Sequence, residues 1–391
     1  MRHASLQFSE HKDLLMATPP SHVDPLSSLA YDEEMLMLLS QVDRALGRLD
    51  GITAAIPDPD FFLAMYVRKE AVLSSQIEGT QTSLLNLLEF EAQAAVRQLP
   101  ADVGEVVRYV EAMNYGLERL KDFPLSLRLL REIHARLLAV GRGAERGPGE
   151  FRRSQNLIGP AGCSLDTAVF VPPPVSEMHE ALADLEKFIH TEDTLPILLK
   201  CGLIHCQFET IHPFLDGNGR LGRLLIAFFL CQQGILRRPL LYLSYYLKQH
   251  RQEYYDRLMA VREKGDWEGW LRFFLCGVID IAREATEVAQ KLMKMREEHR
   301  QSLEKAAPRV TNTLRLLEEL YRRPVTTVGM VVEKIGISYA GANRLVSLLV
   351  EQGLLREITS RERNRVFAYA PYLELFMDEP LDKEIAATLF S

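Results

Sequence analysis

Along the first third of the chain apolar residues recur at three- and four-residue spacing, the period of a helix that buries one face. The pattern predicts helices over Tyr31 to Gly51, Phe61 to Leu73, Ser83 to Arg97, Gly104 to Leu120 and Ser126 to Val140. Residues 1–28 lack this period and carry Thr18-Pro19-Pro20-Ser21, so they read as an arm or a partner-packing segment. From Gly141 to Pro174 glycine and proline interrupt the helices, and Ala168-Val169-Phe170-Val171 ahead of three prolines predicts a short β-hairpin. Helical period returns over Ser176 to His190, Pro196 to Phe208 and Arg220 to Gln233. The apolar Leu221 to Leu230 stretch reads as a buried helix, and Leu224 to Cys231 is the longest unbroken apolar run. A charged helical stretch, Ala282 to Lys305, leads to helices over Thr313 to Tyr321, Thr327 to Ile335 and Tyr339 to Gln352. Strand patterns follow at Leu354 to Ile358 and Arg365 to Tyr369. The chain therefore reads as mainly α.

The segment His212-Pro213-Phe214-Leu215-Asp216-Gly217-Asn218-Gly219-Arg220-Leu221-Gly222-Arg223 concentrates chemistry between two of these helices. Asp216-Gly217-Asn218-Gly219 forms a turn, because Gly and Asn tolerate positive φ, and it feeds directly into a helix N-terminus. Successive N–H groups in such a turn, with the free first-turn amides and the positive end of the helix dipole, make a phosphate cradle. Arg220 and Arg223 are three apart, share one helix face and can set two guanidiniums on adjacent phosphates. Asp216 offers an oxygen suited to magnesium, which takes one or two carboxylates and leaves its other positions to phosphate and water. His212, at the edge, is a candidate general base for removing a hydroxyl proton. The sequence has no Gly-x-x-x-x-Gly-Lys-Ser/Thr run, so a P-loop is excluded.

In this order the residues resemble the Fic family signature, His-x-Phe-x-Asp/Glu-Gly-Asn-Gly-Arg-x-x-Arg, at every fixed position. The resemblance implies a helical Fic core with a small β-hairpin flap and the transfer of AMP from ATP to a Ser, Thr or Tyr hydroxyl of a protein. Carried over by position, His212 would deprotonate the hydroxyl and Asp216 would hold the magnesium. Gly217, Asn218, Gly219 and Arg220 would bind the phosphates, Arg223 would reach the γ-phosphate, and Phe214 would anchor the loop. Val169, Phe170 and Val171 would form the flap edge to which a target segment adds as a strand. Tyr254 would border the adenine, and Arg262 stands where some relatives carry asparagine, which leaves base selectivity open. Related cores transfer other phosphate-bearing groups.

Upstream, Ser74-Ser75-Gln76-Ile77-Glu78-Gly79 closes a predicted helix, and Gly79 is a natural terminator. The run resembles the inhibitory motif of many Fic proteins, Ser/Thr-x-x-x-Glu-Gly/Asn, with Ser74, Glu78 and Gly79 in the fixed places. There the glutamate pairs with the second arginine, here Arg223, and denies it to the γ-phosphate. The same glutamate could orient a water for removal of AMP, and the sequence does not separate the two.

At 391 residues, 47% hydrophobic and 25% charged, the composition is that of a soluble globular protein of two or three domains. The expected division is residues 1–100, a helical region carrying the inhibitory helix, 101–280, the Fic core, 281–305, a linker helix, and 306–391, a C-terminal module. That module resembles a winged helix-turn-helix, with Ser338 capping a recognition helix that presents Tyr339, Asn343 and Arg344, and with Arg361, Arg363 and Arg365 in the wing. Its mild basic excess suits DNA, while the net charge of −7 argues against general nucleic-acid or acidic-membrane affinity for the whole chain. Winged helices serve DNA or protein partners, and both remain open, as does a DNA-binding regulator whose core only senses nucleotide. Five cysteines without a Cys-x-x-Cys pair read as buried reduced thiols, and no apolar run reaches the roughly 20 residues of a membrane span. Expected partners are therefore ATP, magnesium, a hydroxyl-bearing protein and, by resemblance, a second copy of the chain, in the cytoplasm.

Overall fold

The computed structural model describes residues 32–56, 59–93, 100–160, 162–306, 310–359 and 364–377. The N-terminal arm and two of the wing arginines, Arg361 and Arg363, lie outside them. Helix α1 (Glu33–Ala55) starts where the Asp32 side chain accepts from the Met35 amide at 2.9 Å. Helix α2 (Pro59–Ile77) runs four residues past the end its apolar pattern predicts and stops before Gly79, whose φ is +97°. The pattern ends early because Ser74 and Ser75 are polar, yet both are fully buried. Next come α3 (Leu84–Gln93), α4 (Ala101–Arg119) and α5 (Leu127–Leu137), the last capped by Ser126 through the Leu129 amide at 3.3 Å.

Helices α6 (Val175–His190), α7 (Ile197–Ile211) and α8 (Asn218–Gln232) complete the centre. Almost every residue of α7 and α8 is buried, because the two pack on each other while α4, α5 and α2 cover the other sides of α8. A helix enclosed in this way has no polar face, which is the meaning of the Leu224 to Cys231 run. The turn between α7 and α8 is thus carried by the two most enclosed helices of the fold.

Between α5 and α6 the expected hairpin reduces to one bridge, Ile158 with Phe170, whose two backbone hydrogen bonds measure 2.9 and 3.1 Å. Gly159-Pro160 on one side and Pro172 to Pro174 on the other deny the ladder further donors. Of the five cysteines Cys201 and Cys206 are buried, whereas Cys163, Cys231 and Cys276, nearer the surface than expected, are half-buried; all five are free.

Helices α9 (Ser244–Gln249) and α10 (Arg251–Lys264) precede α11 (Trp267–Ala306), 40 residues long. The charged stretch from Ala282 is therefore the second half of one continuous helix. Beyond it come α12 (Val310–Arg322), β1 (Val325–Thr327), α13 (Val328–Ile335), α14 (Tyr339–Glu351), β2 (Leu355–Glu357), β3 (Val366–Tyr369) and α15 (Ala370–Glu374). The strands form an antiparallel sheet in the order β1-β3-β2, with Val325 opposite Ala368 and Leu355 opposite Tyr369. Strand β1, only three residues long, has too little alternation to be read from sequence. This module rests on α2 and α3, and Phe376 meets the Tyr66 ring of α2 at 5.5 Å. No helix among the described residues is long and apolar enough to cross a membrane.

Candidate active site

His212 ends α7 in the left-handed region, φ 48° and ψ 62°, which non-glycine residues seldom occupy. Pro213 then blocks any continuation of the helix. Two buried arginines hold this end. Arg152 donates to the His212 carbonyl at 3.0 Å, to the Ser154 carbonyl at 3.1 Å and to the Pro173 carbonyl, so it ties the base of the flap to the site. Arg262, from α10, donates to the Glu209 carbonyl and to Thr210 Oγ1, each at 3.1 Å, and lies 3.9 Å from the centre of the Phe170 ring. Burial pushes the His212 imidazole down to about 4, and the nearby Arg262 and Arg152 charges act in the same direction. The ring is therefore neutral at neutral pH, with a buried Nδ1 that meets no partner at hydrogen-bond geometry.

The turn that follows is closed from within and from below. Asn218 Oδ1 accepts from the Phe214 amide at 2.9 Å while its Nδ2 donates to the Phe214 carbonyl at 2.8 Å. Phe214 is fully buried and stacks on His134 of α5 at 3.8 Å. His134 Nε2 donates to the Asp216 carbonyl at 2.9 Å and Nδ1 accepts from the Gly149 amide at 2.8 Å, partners that require the Nε2–H tautomer. Gly217 takes φ +75°, which a side chain would strain. Asp216 Oδ1 accepts from the Gly217 amide at 2.6 Å.

The two signature arginines are buried but differently partnered. Arg220 has Nη1 3.5 Å from Glu105 Oε2 and Nη2 3.4 Å from Asp216 Oδ1, while its Nε and Nη1 make no hydrogen bond. Buried donors left open in this way suit an anionic ligand. Arg223 is occupied: Nε donates to Ser74 Oγ at 2.8 Å, and Nη2 donates to the Ser74 carbonyl at 3.0 Å and to Glu78 Oε1 at 2.7 Å. Glu78 reaches across the start of α8, so that a Cβ on Gly219 would lie 2.3 Å from its Oε1. Burial alone would raise this carboxyl, but Arg223, Arg220 and His212 together hold it below the usual carboxylate range. It stands, ionised, where the glycine turn offers its amides.

The structure brings Ser74, Glu78, His212 and Asp216 to Arg223 together, with Glu78 and Gly79 directly after the helix that carries Ser74. The flap residues divide, with Val169 64% exposed at the edge and Phe170 and Val171 buried. Tyr254 lies inside the core, 1% exposed, where its hydroxyl bonds to His205 Nε2 at 2.9 Å; it is Tyr255, 38% exposed, that faces outward. Sequence reasoning missed His134, Arg152 and Glu209 as site residues and gave Arg262 no structural part. Glu209, buried and raised to about 7 by burial, presses against Gly222 and leaves Oε1 unbonded. Its neighbour Gly222, between the two signature arginines though at a variable place of the signature, was a sign in the sequence that α7 approaches α8 closely there.

A glycine turn held between two enclosed helices, with a histidine before it and two buried arginines after it, defines a Fic fold. The Fic/DOC family N-terminal profile matches residues 36–118 and the Fic/DOC family profile matches residues 124–230. Residues 36–118 and 124–230 thus carry the Fic N-terminal and Fic domains. It is 30% identical over 270 residues to the protein adenylyltransferase Fic of Aedes aegypti, covering 65% of this chain and 50% of that one. It is also 30% identical over 175 residues to a probable protein adenylyltransferase of Aquifex aeolicus, covering 45% and 51%. The chain thus spans about half the length of the curated relatives it matches. Among solved structures a Fic family protein from Desulfovibrio desulfuricans G20 superposes with a TM-score of 0.57 at 19% identity, over 87% of this chain and 97% of that one. A Fic domain-containing signaling protein from Bacteroides thetaiotaomicron gives 0.50 at 16%, over 64% and 97%.

Proposed function

We propose that the protein transfers AMP from ATP to a Ser, Thr or Tyr hydroxyl of a protein, itself included, and that Glu78 holds this activity off. The carrying observation is the division of the arginines. Arg220 keeps Nε without a hydrogen bond and meets Glu105 and Asp216 only at 3.4 to 3.5 Å, while Arg223 is taken by Ser74 and Glu78 beside Gly219. In the reaction the neutral imidazole of His212 receives the proton of the hydroxyl, whose oxygen attacks the α-phosphate in line as pyrophosphate leaves. Gly217, Asn218 and Gly219 hold phosphate oxygens, and the arginines stabilise the charge that develops. Such chemistry asks mainly for positioning and electrostatics, which a fixed loop between enclosed helices provides.

The residues present also fit magnesium. Among the described residues no three His, Cys, Asp or Glu side chains gather as a metal cage, which suits an ion that draws most of its ligands from phosphate and water. Asp216, with one oxygen bonded to the Gly217 amide, would hold it, and the ion would screen the phosphate charge. Val169 supports strand addition of a target segment at the flap. Tyr254 reaches an adenine only through movement of the core around it, so the base-facing role passes to its half-exposed neighbour Tyr255.

We read residues 306–391 as a winged helix that selects a partner; its α14 opens on Tyr339, 66% exposed. The experiment is intact-mass analysis of the purified chain after incubation with ATP and magnesium. Glu78→Gly should gain the mass of AMP, and Glu78→Gly with His212→Ala should not.

A further inference from the structure

Arg262 is no part of the signature, yet its contacts converge on the end of the helix that delivers His212. The last carbonyls of a helix have no partner within it and carry the negative end of its dipole. At α7 one of them, Glu209, accepts from Arg262 Nη2 at 3.1 Å, and the neighbouring Thr210 hydroxyl accepts from Nε at the same distance. The same guanidinium lies over the Phe170 ring, its carbon 3.9 Å from the ring centre. Phe170 is the flap residue bridged to Ile158, and Val169 beside it is the exposed edge. One group, 7% exposed, therefore touches both the terminus that sets the general base and the loop that would present the target.

Resting on the adenylyl-transfer reading, we propose that Arg262 is a positioning residue that fixes the flap relative to His212, so that a hydroxyl laid along Val169 arrives at the imidazole. A planar fork with one face on a ring holds such a register, and a lysine does not reproduce it. A second consequence is electrostatic. The charged groups facing His212 are Arg262 from α10, Arg152 from the segment after α5 and Glu78 after α2; on α7 itself the Glu209 carbonyl faces it. The Glu209 carboxyl turns toward Gly222 instead. Arg262 and Arg152 disfavour a proton on the ring, and Glu78 and the Glu209 carbonyl favour one. Removing Arg262 therefore raises the proton affinity of the base, whereas loosening the flap alone does not.

The test uses the full chain with Glu78→Gly and adds Arg262→Lys, Arg262→Gln or Phe170→Ala. Transfer to protein hydroxyls should fall roughly tenfold to a hundredfold in all three, the scale of a small misplacement of reacting groups. ATP affinity by calorimetry should change less than about twofold, because Arg262 and Phe170 meet the end of α7 and each other and not the glycine turn or the signature arginines. The NMR titration of His212 should move upward in Arg262→Gln and stay in place in Phe170→Ala, which leaves α10 intact. Loss of ATP affinity in parallel with transfer, or an unmoved His212 titration in Arg262→Gln, overturns the proposal. If the Glu78→Gly parent itself transfers nothing, the proposed function fails, and the titration alone then decides the role of Arg262.

Discussion

In this structure Arg223 satisfies Ser74 and Glu78, and under the proposed function a γ-phosphate competes with them for it. Its three hydrogen bonds measure 2.7 to 3.0 Å and its side chain is 2% exposed, while Glu78 keeps 32% exposure, so the arginine is shielded from water and its partner only in part. Ser74→Ala removes the Nε partner but keeps Glu78. A hydrogen bond to a charged group contributes about 1.5 to 3 kcal/mol, so the variant should transfer AMP more than the parent and less than Glu78→Gly in the same mass assay. Equal activity in Ser74→Ala and the parent would show that the serine only fills space. The signature was legible at this scale because its residues act on one another within twelve positions. His134, Arg152 and Arg262 were not, since each works mainly through backbone carbonyls and amides of distant segments, and such bonds leave no residue pattern.

Among the elements, α2 carries the most regulatory consequence. Its polar end looks unlike a buried helix in sequence, yet Ser74 and Ser75 are buried, and Arg223 of α8 meets Ser74 and, just past the helix, the half-buried Glu78. Gly79 ends the helix at φ +97°, a conformation an L side chain adopts at a cost of about 1 to 2 kcal/mol. The position has open space around it, so Gly79→Ala acts through the backbone alone. It should lower unfolding stability by about 1 kcal/mol and raise self-modification by loosening Glu78. Unchanged stability in a denaturant titration would contradict the strain. The enclosed helices α7 and α8 were legible from apolar density, whereas the flap was overread: alternation in 168–171 promised strands, and the flanking prolines allow a single bridge.

At the scale of the molecule the C-terminal module bears on the same helix. Tyr66 of α2 meets Phe376 on one side and Tyr242 on the other, and the Tyr242 ring precedes Ser244, which bonds Glu70 of α2. The buried titratable groups give the fold a defined pH response. Burial holds His134, His205 and His212 at about 4 instead of 6.5, and raises Glu70 and Glu209 to about 7 from 4.5. Between about pH 4.5 and 6.5 the unfolded chain takes up three histidine protons that the folded chain refuses. Over the same range the folded chain keeps two carboxyl protons that the unfolded chain loses. The net excess of about one proton lies with the unfolded chain, so stability from these groups falls as pH drops through this window. Above about pH 6.5 only the carboxyl difference remains, and stability falls as pH rises through 7. Denaturant unfolding across pH 4.5 to 8 should place the maximum near 6.5; a monotonic rise to pH 8 would contradict the raised carboxyls.

The proposed block at Arg223 by Glu78 governs an otherwise complete site. It is tested most directly by intact-mass measurement of the parent chain and Glu78→Gly after incubation with ATP and magnesium. Glu78→Gly should carry added AMP at least about tenfold above the parent, from the loss of one half-buried charge pair. Equal labelling of the two, or none on either, would contradict it.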